Sequence, residues 1–226
     1  MEPTIHSIQA KILNVLRFRK EARFSELNVE QLTNDHFTFH INRLISLGLI
    51  EKKNGTYTLT DKGKEFANRL DEENVAPIKQ GKIAVLLVCR DGDRYLVQKR
   101  LQHPYFGFFG FPASKVRWGE TIFDAAKRIL TRETGFQAQI QLVGIHHKID
   151  SAKDEDVLED KYYFVFTAGH IKGKLRQEIL GGENMWMTMD KIKKLENRLS
   201  GVDRALKFLE NKELTFSESE VREESY

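Results

Sequence analysis

The sequence has 226 residues, of which 31% are charged and 40% are hydrophobic, and its formal net charge is +3. This composition is typical of globular proteins, and no apolar run reaches the roughly 18 residues of a membrane-spanning helix. The N-terminus lacks the basic and apolar segments of an export signal, so we expect a cytoplasmic protein with no membrane partner. Cys89 is the single cysteine and lies in an apolar run, which argues against redox chemistry.

The first 70 residues are mildly basic, with 11 Lys and Arg against 8 Asp and Glu. Apolar residues recur at helical spacing over residues 4–17, with Thr4 as the predicted N-cap. A short second segment covers residues 24–32. The third predicted helix ends at Gly48 and has an inward apolar stripe. The stripe consists of Phe37, Ile41, Leu44 and Ile45.

A hairpin and a fourth helix complete this N-terminal part. Asn54 and Gly55 separate two short strand-like runs, which is a strong hairpin signal. Thr60 is the predicted cap of the fourth helix, whose Phe66 and Leu70 can pack on the core. The order is therefore helix, helix, helix, two-stranded wing, helix.

Residues 1–70 resemble a winged helix-turn-helix domain of bacterial and archaeal regulators, chiefly through the passage FTFHINRLISLGLIEKKNGTYTLTDKGK. The resemblance implies that the third helix enters the major groove of double-stranded DNA and that the wing contacts the backbone. The residues expected to contact DNA are Thr38, Phe39, His40, Asn42, Arg43, Lys52 and Lys53. Phe39 fits an alternative equally well, because an exposed aromatic side chain on this face can also pack against protein.

Residues 71–80 contain an acidic run and Pro77, and we interpret them as a linker. Strand patterns follow. The continuous apolar run from Lys82 predicts a strand buried on both faces, which a tight turn at residues 91–93 joins to a second strand. A loop rich in glycine and aromatic residues comes next. Its aromatic side chains could stack on a nucleobase, although a packed loop core is the expected arrangement. They are Tyr105, Phe106, Phe108, Phe109, Phe111 and Trp118.

An amphipathic helix is predicted from Ile122 to Thr134. Thr121 precedes it as a candidate N-cap, and Gly135 follows it as a candidate left-handed stop. The apolar residues recur at three- and four-residue spacing and form one face. These residues are Ile122, Ala125, Ala126, Ile129 and Leu130.

Residues 114–136 resemble the Nudix box, G-x5-E-x7-R-E-U-x-E-E-x-G-U, in which U is aliphatic. The frame is intact, with matches at Glu120, Arg128, Leu130, Glu133 and Gly135, and with Phe136 at the last position. The resemblance implies a Nudix α/β/α sandwich with a mixed sheet over residues 81–212. It also implies that Glu120, Arg128 and Glu133 are the remaining catalytic residues of the box, and that Mg²⁺ or Mn²⁺ is the cofactor.

Three positions depart from the box. Ser114 replaces the first glycine, Ile129 replaces the glutamate after the arginine, and Arg132 replaces the first glutamate of the pair. Glu133 is then a weak metal ligand, with Glu120 as the other candidate. A cation at position 132 would repel Mg²⁺ by roughly 4 kcal/mol per unit charge at 4 Å and an effective dielectric near 20. The metal is therefore doubtful, and Arg132, with Lys115, is expected to bind a diphosphate instead.

After the box, two further strand patterns flank an acidic loop that could return carboxylates to a metal, although a solvated loop is the expected arrangement. Its carboxylates are Asp154, Glu155, Asp156, Glu159 and Asp160. A last strand and two helices follow. Residues 213–226 carry one arginine against five glutamates and are expected to be disordered. The predicted fold is therefore α+β, with an N-terminal winged helix-turn-helix and a C-terminal Nudix sandwich.

These features favour a DNA-binding transcription regulator, because the chain resembles regulators that join a winged helix to a non-hydrolytic Nudix domain. Its expected ligand is a nucleoside diphosphate derivative of the ADP-ribose or nucleotide-sugar class. A homodimer is expected, since operators usually present paired half-sites. One alternative is an active metal-dependent hydrolase of such compounds with an accessory winged helix. Another is a scaffold that binds neither DNA nor ligand.

Overall fold

The computed structural model describes residues 5–71, 79–152, 156–211 and 213–222. The chain divides into two compact units, residues 1–79 and 80–226. Thr4, residues 72–78 of the expected linker, and Asp154 and Glu155 of the acidic loop lie outside the described residues. No helix in the described part of the chain is long and apolar enough to cross a membrane.

The first unit has the predicted order of helices and wing, with one additional strand. Its elements are α1 (Ser7–Arg17), β1 (Ala22–Arg23), α2 (Phe24–Leu27), α3 (Asn34–Ser46), β2 (Ile50–Lys53), β3 (Thr56–Leu59) and α4 (Asp61–Ala67). The three strands form a small sheet in the order β1-β3-β2. The first described cap is His6, whose side chain accepts a hydrogen bond from the Ile8 amide of α1.

The wing turn and the α4 cap confirm their sequence predictions. Asn54 and Gly55 both have positive φ, at 50° and 85°, which is the backbone of a two-residue hairpin turn. The Thr60 hydroxyl accepts a hydrogen bond from the Gly63 amide at 2.9 Å and so begins α4. Phe66 and Leu70 are buried in the core of the unit, as expected.

The third helix buries Phe37, Ile41 and Leu44, but Ile45 is exposed, so its placement in the inward stripe was wrong. Successive helical residues are separated by about 100°, and a stripe that includes both position 44 and position 45 is wider than this small core covers. His40 completes the buried stripe in its place.

The second unit contains a mixed sheet between two helical layers. Its elements are β4 (Lys82–Asp91), β5 (Arg94–Arg100), β6 (Phe109–Gly110), β7 (Ala113–Lys115), α5 (Ile122–Thr134), β8 (Phe136–Ser151), β9 (Val157–Gly173), β10 (Glu178–Ile179), β11 (Gly182–Thr188), α6 (Met189–Lys193), α7 (Gly201–Phe208) and β12 (Thr215–Arg222). Seven strands follow the order β10-β11-β5-β4-β9-β8-β12, and β6 and β7 pair with β5 and β4. β4 runs parallel to β9 and antiparallel to β5.

Strand β4 divides its side chains between two cores, which confirms that it is buried on both faces. Val85, Leu87 and Cys89 pack in the cluster that contains the buried face of α5. Leu86 and Val88 pack in the cluster that contains α6 and α7 residues. This alternation, one face per successive residue, gives the α/β/α sandwich. Burial raises the pKa of the Cys89 thiol to about 12, so it is a packed core residue rather than a nucleophile.

The C-terminal segment corrects another prediction. Residues 215–222 form β12, which pairs in parallel with residues 144–151 of β8, whereas we expected disorder there. The Nδ1 of His147 lies 2.6 Å from Glu218 of β12, and its Nε2 lies 3.0 Å from Asp160 of β9. The prediction was wrong because the five acidic residues of this segment suggested mutual repulsion. Its partner His147, which binds Glu218, lies about 70 residues earlier in the sequence.

We predict that β12 is held less firmly as pH rises. The Glu218 hydrogen bond, followed by the contacts to Asp160, raises the pKa of His147, whose ring also stacks on Tyr162. A group whose pKa is raised on folding contributes stability that is complete below its unfolded pKa and is lost as pH rises through the folded pKa. Amide exchange of residues 215–222, corrected for intrinsic rates, should be slower relative to residues 164–168 at pH 6 than at pH 8.5. His147→Gln should remove this difference, and equal protection of the native strand at both values would contradict the assignment.

Candidate functional site

The loop before α5 is fixed by a bidentate ion pair between Arg128 and Glu120. The Arg128 Nε and Nη2 atoms donate to the two carboxylate oxygens at 2.6 and 2.7 Å, and Nη2 also donates to the Lys115 carbonyl at 3.2 Å. The Arg117 amide donates a third bond to Glu120. The hydrogen bonds from Arg128, and then from Arg117, lower the pKa of Glu120 to about 2. The two residues therefore order the loop, and both Glu120 oxygens are already engaged.

The three departures from the box have distinct positions in the structure. Ile129 is fully buried, at 0% exposure, in the core beneath α5. Arg132 lies on the open side of the helix, where its side chain is 46% exposed. The two departures on α5 therefore differ in burial, with position 129 in the core and position 132 on the open side of the helix. A glutamate introduced at position 129 would place a carboxylate in an apolar core.

The Arg132 side chain bridges Glu133 and Ser114. Its guanidinium forms an ion pair with Glu133, with Nε 2.8 Å from Oε1, and its Nη2 donates to the Ser114 hydroxyl at 2.7 Å. Two departures from the box therefore contact each other directly. The Arg132 guanidinium therefore binds the oxygen atoms that a metal would need. Glu133 supplies the box carboxylate, and Ser114 lines the same cleft.

These residues do not fit a Mg²⁺ or Mn²⁺ site. Such ions require hard oxygen ligands, usually one or two carboxylates together with substrate phosphates. Here the Glu133 carboxylate is neutralised by Arg132, and the Glu120 carboxylate is neutralised by Arg128. No group of three or more acidic, histidine or cysteine side chains suitable for a metal is found among the described residues.

The acidic-loop residues within the described ranges do not reach this cleft. Glu159 lies on β9 and binds Lys82 and Lys161, and Asp160 binds His147. Asp156 precedes β9 and, like these two, is not among the cleft-lining residues.

The cleft beside Arg132 has a volume of about 550 Å³. Three arginines from separate parts of the chain line it, together with Ser114, the carboxylates Glu133 and Glu178, and the turn that follows β10. These arginines are Arg100, Arg132 and Arg176. Lys115, which we predicted to bind a ligand, is exposed and does not line the cleft. Arg100 and Arg176 were missed because one ends a strand and the other lies in a connection, and neither belongs to a motif.

Asn184 of β11 holds two walls of the cleft together. Its side-chain amide donates to the Glu133 carbonyl at 2.6 Å and to the Arg176 carbonyl at 2.8 Å. Its oxygen accepts from Gln98 of β5 at 3.2 Å. Arg176 also donates its amide to the Thr134 carbonyl at 2.8 Å. The end of α5 and the Arg176 segment are therefore fixed to each other and to the sheet.

The loop aromatics divide between core and surface. Tyr105 and Phe111 are buried, as expected of a packed loop. Phe108 and Phe109 are half-buried, whereas Phe106 and Trp118 are exposed. Trp118 and Phe106 do not line the cleft beside Arg132, so no nucleobase stacking site at that cleft includes them.

The candidate DNA-contacting residues lie in the first unit. Thr38, Phe39, Asn42 and Arg43 are exposed on α3, and Lys52 and Lys53 are exposed on β2. Lys53 pairs with Glu51 at 2.5 Å. His40 was predicted on the same outward face, but it is buried, with its ring 5.0 Å from that of His6. Burial, and then the charges of His6 and His36, lower the pKa of His40.

Comparisons with known families and structures agree with this geometry. The family model for the NUDIX domain matches residues 79–210, and a model for a winged helix-turn-helix matches residues 6–75. No curated protein sequence matches the chain significantly.

Three solved structures resemble the chain in fold. The Mutator MutT protein from Bacillus halodurans has a TM-score of 0.53 at 20% identity, covering 64% of this chain and 93% of its own. The MutT NUDIX hydrolase from Burkholderia pseudomallei has a TM-score of 0.52 at 22% identity, covering 58% and 99%. The NUDIX domain of Shewanella oneidensis NrtR, complexed with ADP ribose, has a TM-score of 0.51 at 15% identity, covering 67% and 97%.

We predict that Asn184→Leu loosens the cleft and destabilises its unit. The substitution leaves the Glu133 and Arg176 carbonyls without this donor, and an unsatisfied buried polar group costs about 1–3 kcal/mol. Urea unfolding of the second unit should show a loss in this range. Asn68→Leu, which changes the same residue type in the first unit, serves as the control. An Asn184→Leu protein as stable as the native one would show that these bonds contribute nothing.

Proposed function

The chain belongs to the Nudix family and carries an N-terminal winged helix-turn-helix domain, and we propose that it is a DNA-binding transcription regulator. Its Nudix domain binds a nucleoside diphosphate derivative, of the ADP-ribose or nucleotide-sugar class, with weak or no hydrolysis. The observation that carries this proposal is the guanidinium of Arg132, which bridges Glu133 and Ser114 at the point where the box would hold metal.

Recognition of a diphosphate follows from the guanidinium groups of the cleft. A guanidinium is permanently charged and matches two phosphate oxygens with two parallel N–H donors. Arg132 keeps nearly half of its side-chain surface exposed while it is bound to Glu133 and Ser114. Its orientation is therefore set before a ligand arrives, which reduces the entropy lost on binding. Arg100 and Arg176 add charge on the facing walls.

Weak hydrolysis follows from the same arrangement. In metal-assisted hydrolysis, a bound ion activates water and polarises the phosphoryl oxygen. Arginine can neutralise phosphate charge, but its pKa is too high for it to accept a proton from water. Glu133 is paired with Arg132 and Glu120 with Arg128, so neither is positioned as a free base. The cleft supports binding more strongly than turnover.

The neighbouring structures guide the choice of the first ligand to test. The NUDIX domain of Shewanella oneidensis NrtR was crystallised with ADP ribose. That compound contains the diphosphate that the cleft arginines are suited to bind. ADP ribose is therefore the first probe for this chain.

The winged helix supplies the proposed DNA contacts. Asn42 and Arg43 lie on the exposed face of α3, where an asparagine can pair with adenine and an arginine with guanine or phosphate. Lys52 and Lys53 lie on the wing strand β2, where a lysine can contact the backbone. Phe39, at 64% exposure, can contact a thymine methyl or pack against protein. Two copies of the chain would place two such helices on paired half-sites.

Ligand and DNA binding are expected to be coupled. Allosteric coupling energies are typically about 1–3 kcal/mol, which corresponds to a 5- to 150-fold change in DNA affinity. Reciprocity requires the same factor in ligand affinity when DNA is bound. Fluorescence anisotropy of a selected genomic fragment, with and without saturating ADP ribose, measures the factor. A ratio of one for every diphosphate derivative tested would refute the proposed regulation.

We predict that Arg132→Met weakens ADP-ribose binding by roughly 10- to 100-fold, since a hydrogen bond to a charged group contributes about 1.5–3 kcal/mol. Isothermal titration calorimetry measures the affinity. Lys127→Met removes an exposed cation from the same helix, outside the cleft, and should leave the affinity unchanged. Equal losses in both variants would indicate a general effect of charge, and no loss in Arg132→Met would remove Arg132 from the binding site.

We predict distinct effects for two substitutions in the winged helix. Arg43→Ala should cost about 1–3 kcal/mol at a specific operator and relax the preference for one base. Lys53→Ala should weaken binding to all sequences and reduce the slope of log affinity against log salt by about one. Lys64→Ala is the control, because Lys64 belongs to α4 rather than to α3 or the wing and pairs with Asp61 of the same helix. Binding that is insensitive to both changes would place the DNA interface elsewhere.

A further inference from the structure

A row of three lysines crosses the middle of the large sheet. Lys82 of β4 is the register partner of Lys161 on β9, and Lys161 is the register partner of Lys148 on β8. Like charges on directly opposed strand positions destabilise a sheet. The cost is greatest at Lys148 and Lys161, whose side chains are only 7% and 18% exposed. Packing alone gives no reason for such a row.

Among the described residues, two carboxylates in the next row of the sheet pair with these lysines. Glu159 accepts from both Lys82 and Lys161, at 2.9 Å in each case. Asp150 pairs with Lys148 at 2.5 Å and also accepts from the Tyr105 hydroxyl at 3.0 Å. Asp150 and Glu159 are themselves register partners. Three lysines thus face two carboxylates.

The lysine row opens into a cavity of about 80 Å³ on the α7 side of the sheet. Lys148, Lys161 and Arg100 line it, and Asp150 is the one carboxylate among its described lining residues. Arg100 is a fourth cation of this group, so among the described residues four cations accompany the carboxylates Asp150 and Glu159. The net charge of these six side chains is +2. A single buried water molecule needs a cavity of roughly 10–15 Å³, so this cavity accommodates a compact group of several atoms.

The cavity and the arginine cleft are adjacent, because Gln98, Arg100 and Ala113 line both. Arg100 donates its Nε to the Pro104 carbonyl at 3.0 Å, which fixes its side chain. The two spaces therefore share a wall.

We propose that this cavity is a second anion subsite, which takes a phosphate monoester carried by the same ligand whose diphosphate lies in the arginine cleft. The inference rests on the proposed function for the position of the diphosphate. A phosphate monoester carries a charge of nearly −2 at neutral pH, which matches the local excess of +2. Its oxygens are hydrogen-bond acceptors, and Lys148, Lys161 and Arg100 supply donors.

The tyrosine beside the lysines supports an oxyanion rather than a cation. Burial, and then the charges of Asp150 and Glu159, raise the pKa of the Tyr163 hydroxyl, which lines the cavity. It remains protonated at neutral pH and is available as a donor. Burial lowers the pKa of Lys161, as expected for an ammonium group that has lost hydration. A bound phosphate would restore that lost electrostatic stabilisation.

Calorimetric titration of inorganic phosphate into the full-length protein tests the subsite, first alone and then with saturating inorganic pyrophosphate in the cleft. We expect phosphate to bind in both conditions. Lys161→Met should weaken phosphate binding at least about tenfold, because one charge-assisted hydrogen bond is lost, while pyrophosphate binding persists. Glu159 keeps Lys82 as its partner in this variant. Arg132→Met should weaken pyrophosphate binding, while phosphate binding persists.

Lys172→Met is the matched control, since Lys172 is an exposed residue of the same strand, outside the cavity. A further measurement needs no variant: phosphate should raise the melting temperature of the native protein above its value in chloride of equal ionic strength. Absence of phosphate binding, competition between phosphate and pyrophosphate, or equal phosphate affinity in Lys161→Met would overturn the subsite. Phosphate binding without pyrophosphate binding would instead leave the subsite intact and refute the diphosphate cleft.

Discussion

The cleft is organised around one ion pair, between Arg132 and Glu133, and Arg132 also donates a hydrogen bond to the Ser114 hydroxyl. In a metal-dependent site, carboxylates gather around a divalent ion that attracts the phosphates. Here the Arg132 side chain places a positive charge beside Glu133 and Ser114. The Nudix frame persists around it, because Glu120 and Arg128 still order the loop and Gly135 still ends α5 in the left-handed conformation. The scaffold of the box is retained, and a guanidinium lies beside Glu133, one of its remaining carboxylates.

The lysine row extends the same principle to the other side of the sheet. Among the described residues, cations outnumber carboxylates at both sites. Both sites are also partly shielded from water, and this shielding makes Coulomb interactions stronger. An unliganded domain bears the cost of these like charges. A ligand with two separated phosphate groups would relieve both excesses at once. Stability that depends on ligand in this way is what a sensor requires, because the ligand then changes the energy of the folded domain itself.

The local elements could be predicted from the sequence, but the site could only partly be predicted. Thr60, Asn54 and Thr121 act on neighbouring residues, so caps, wing and box helix were recognisable. The lysine row, in contrast, depends on strand register among three distant segments. His147 of β8 binds Glu218 of β12, and the burial of His40 depends on how α1 packs against α3. These long-range pairings have no sequence motif. Arg100 and Arg176 escaped notice for the same reason.

The decisive measurement is incubation of the native protein with ADP ribose, nucleotide sugars or dinucleotides and Mg²⁺ or Mn²⁺, with any products separated by chromatography. We expect the native protein to bind at least one of these compounds and to return it intact. Arg132→Glu, which removes the guanidinium and places a second carboxylate beside Glu133, should gain metal-dependent cleavage or metal binding. Cleavage by the native chain at enzyme-like rates, about 1 s⁻¹ or faster, would contradict the account and require a metal site elsewhere in the domain.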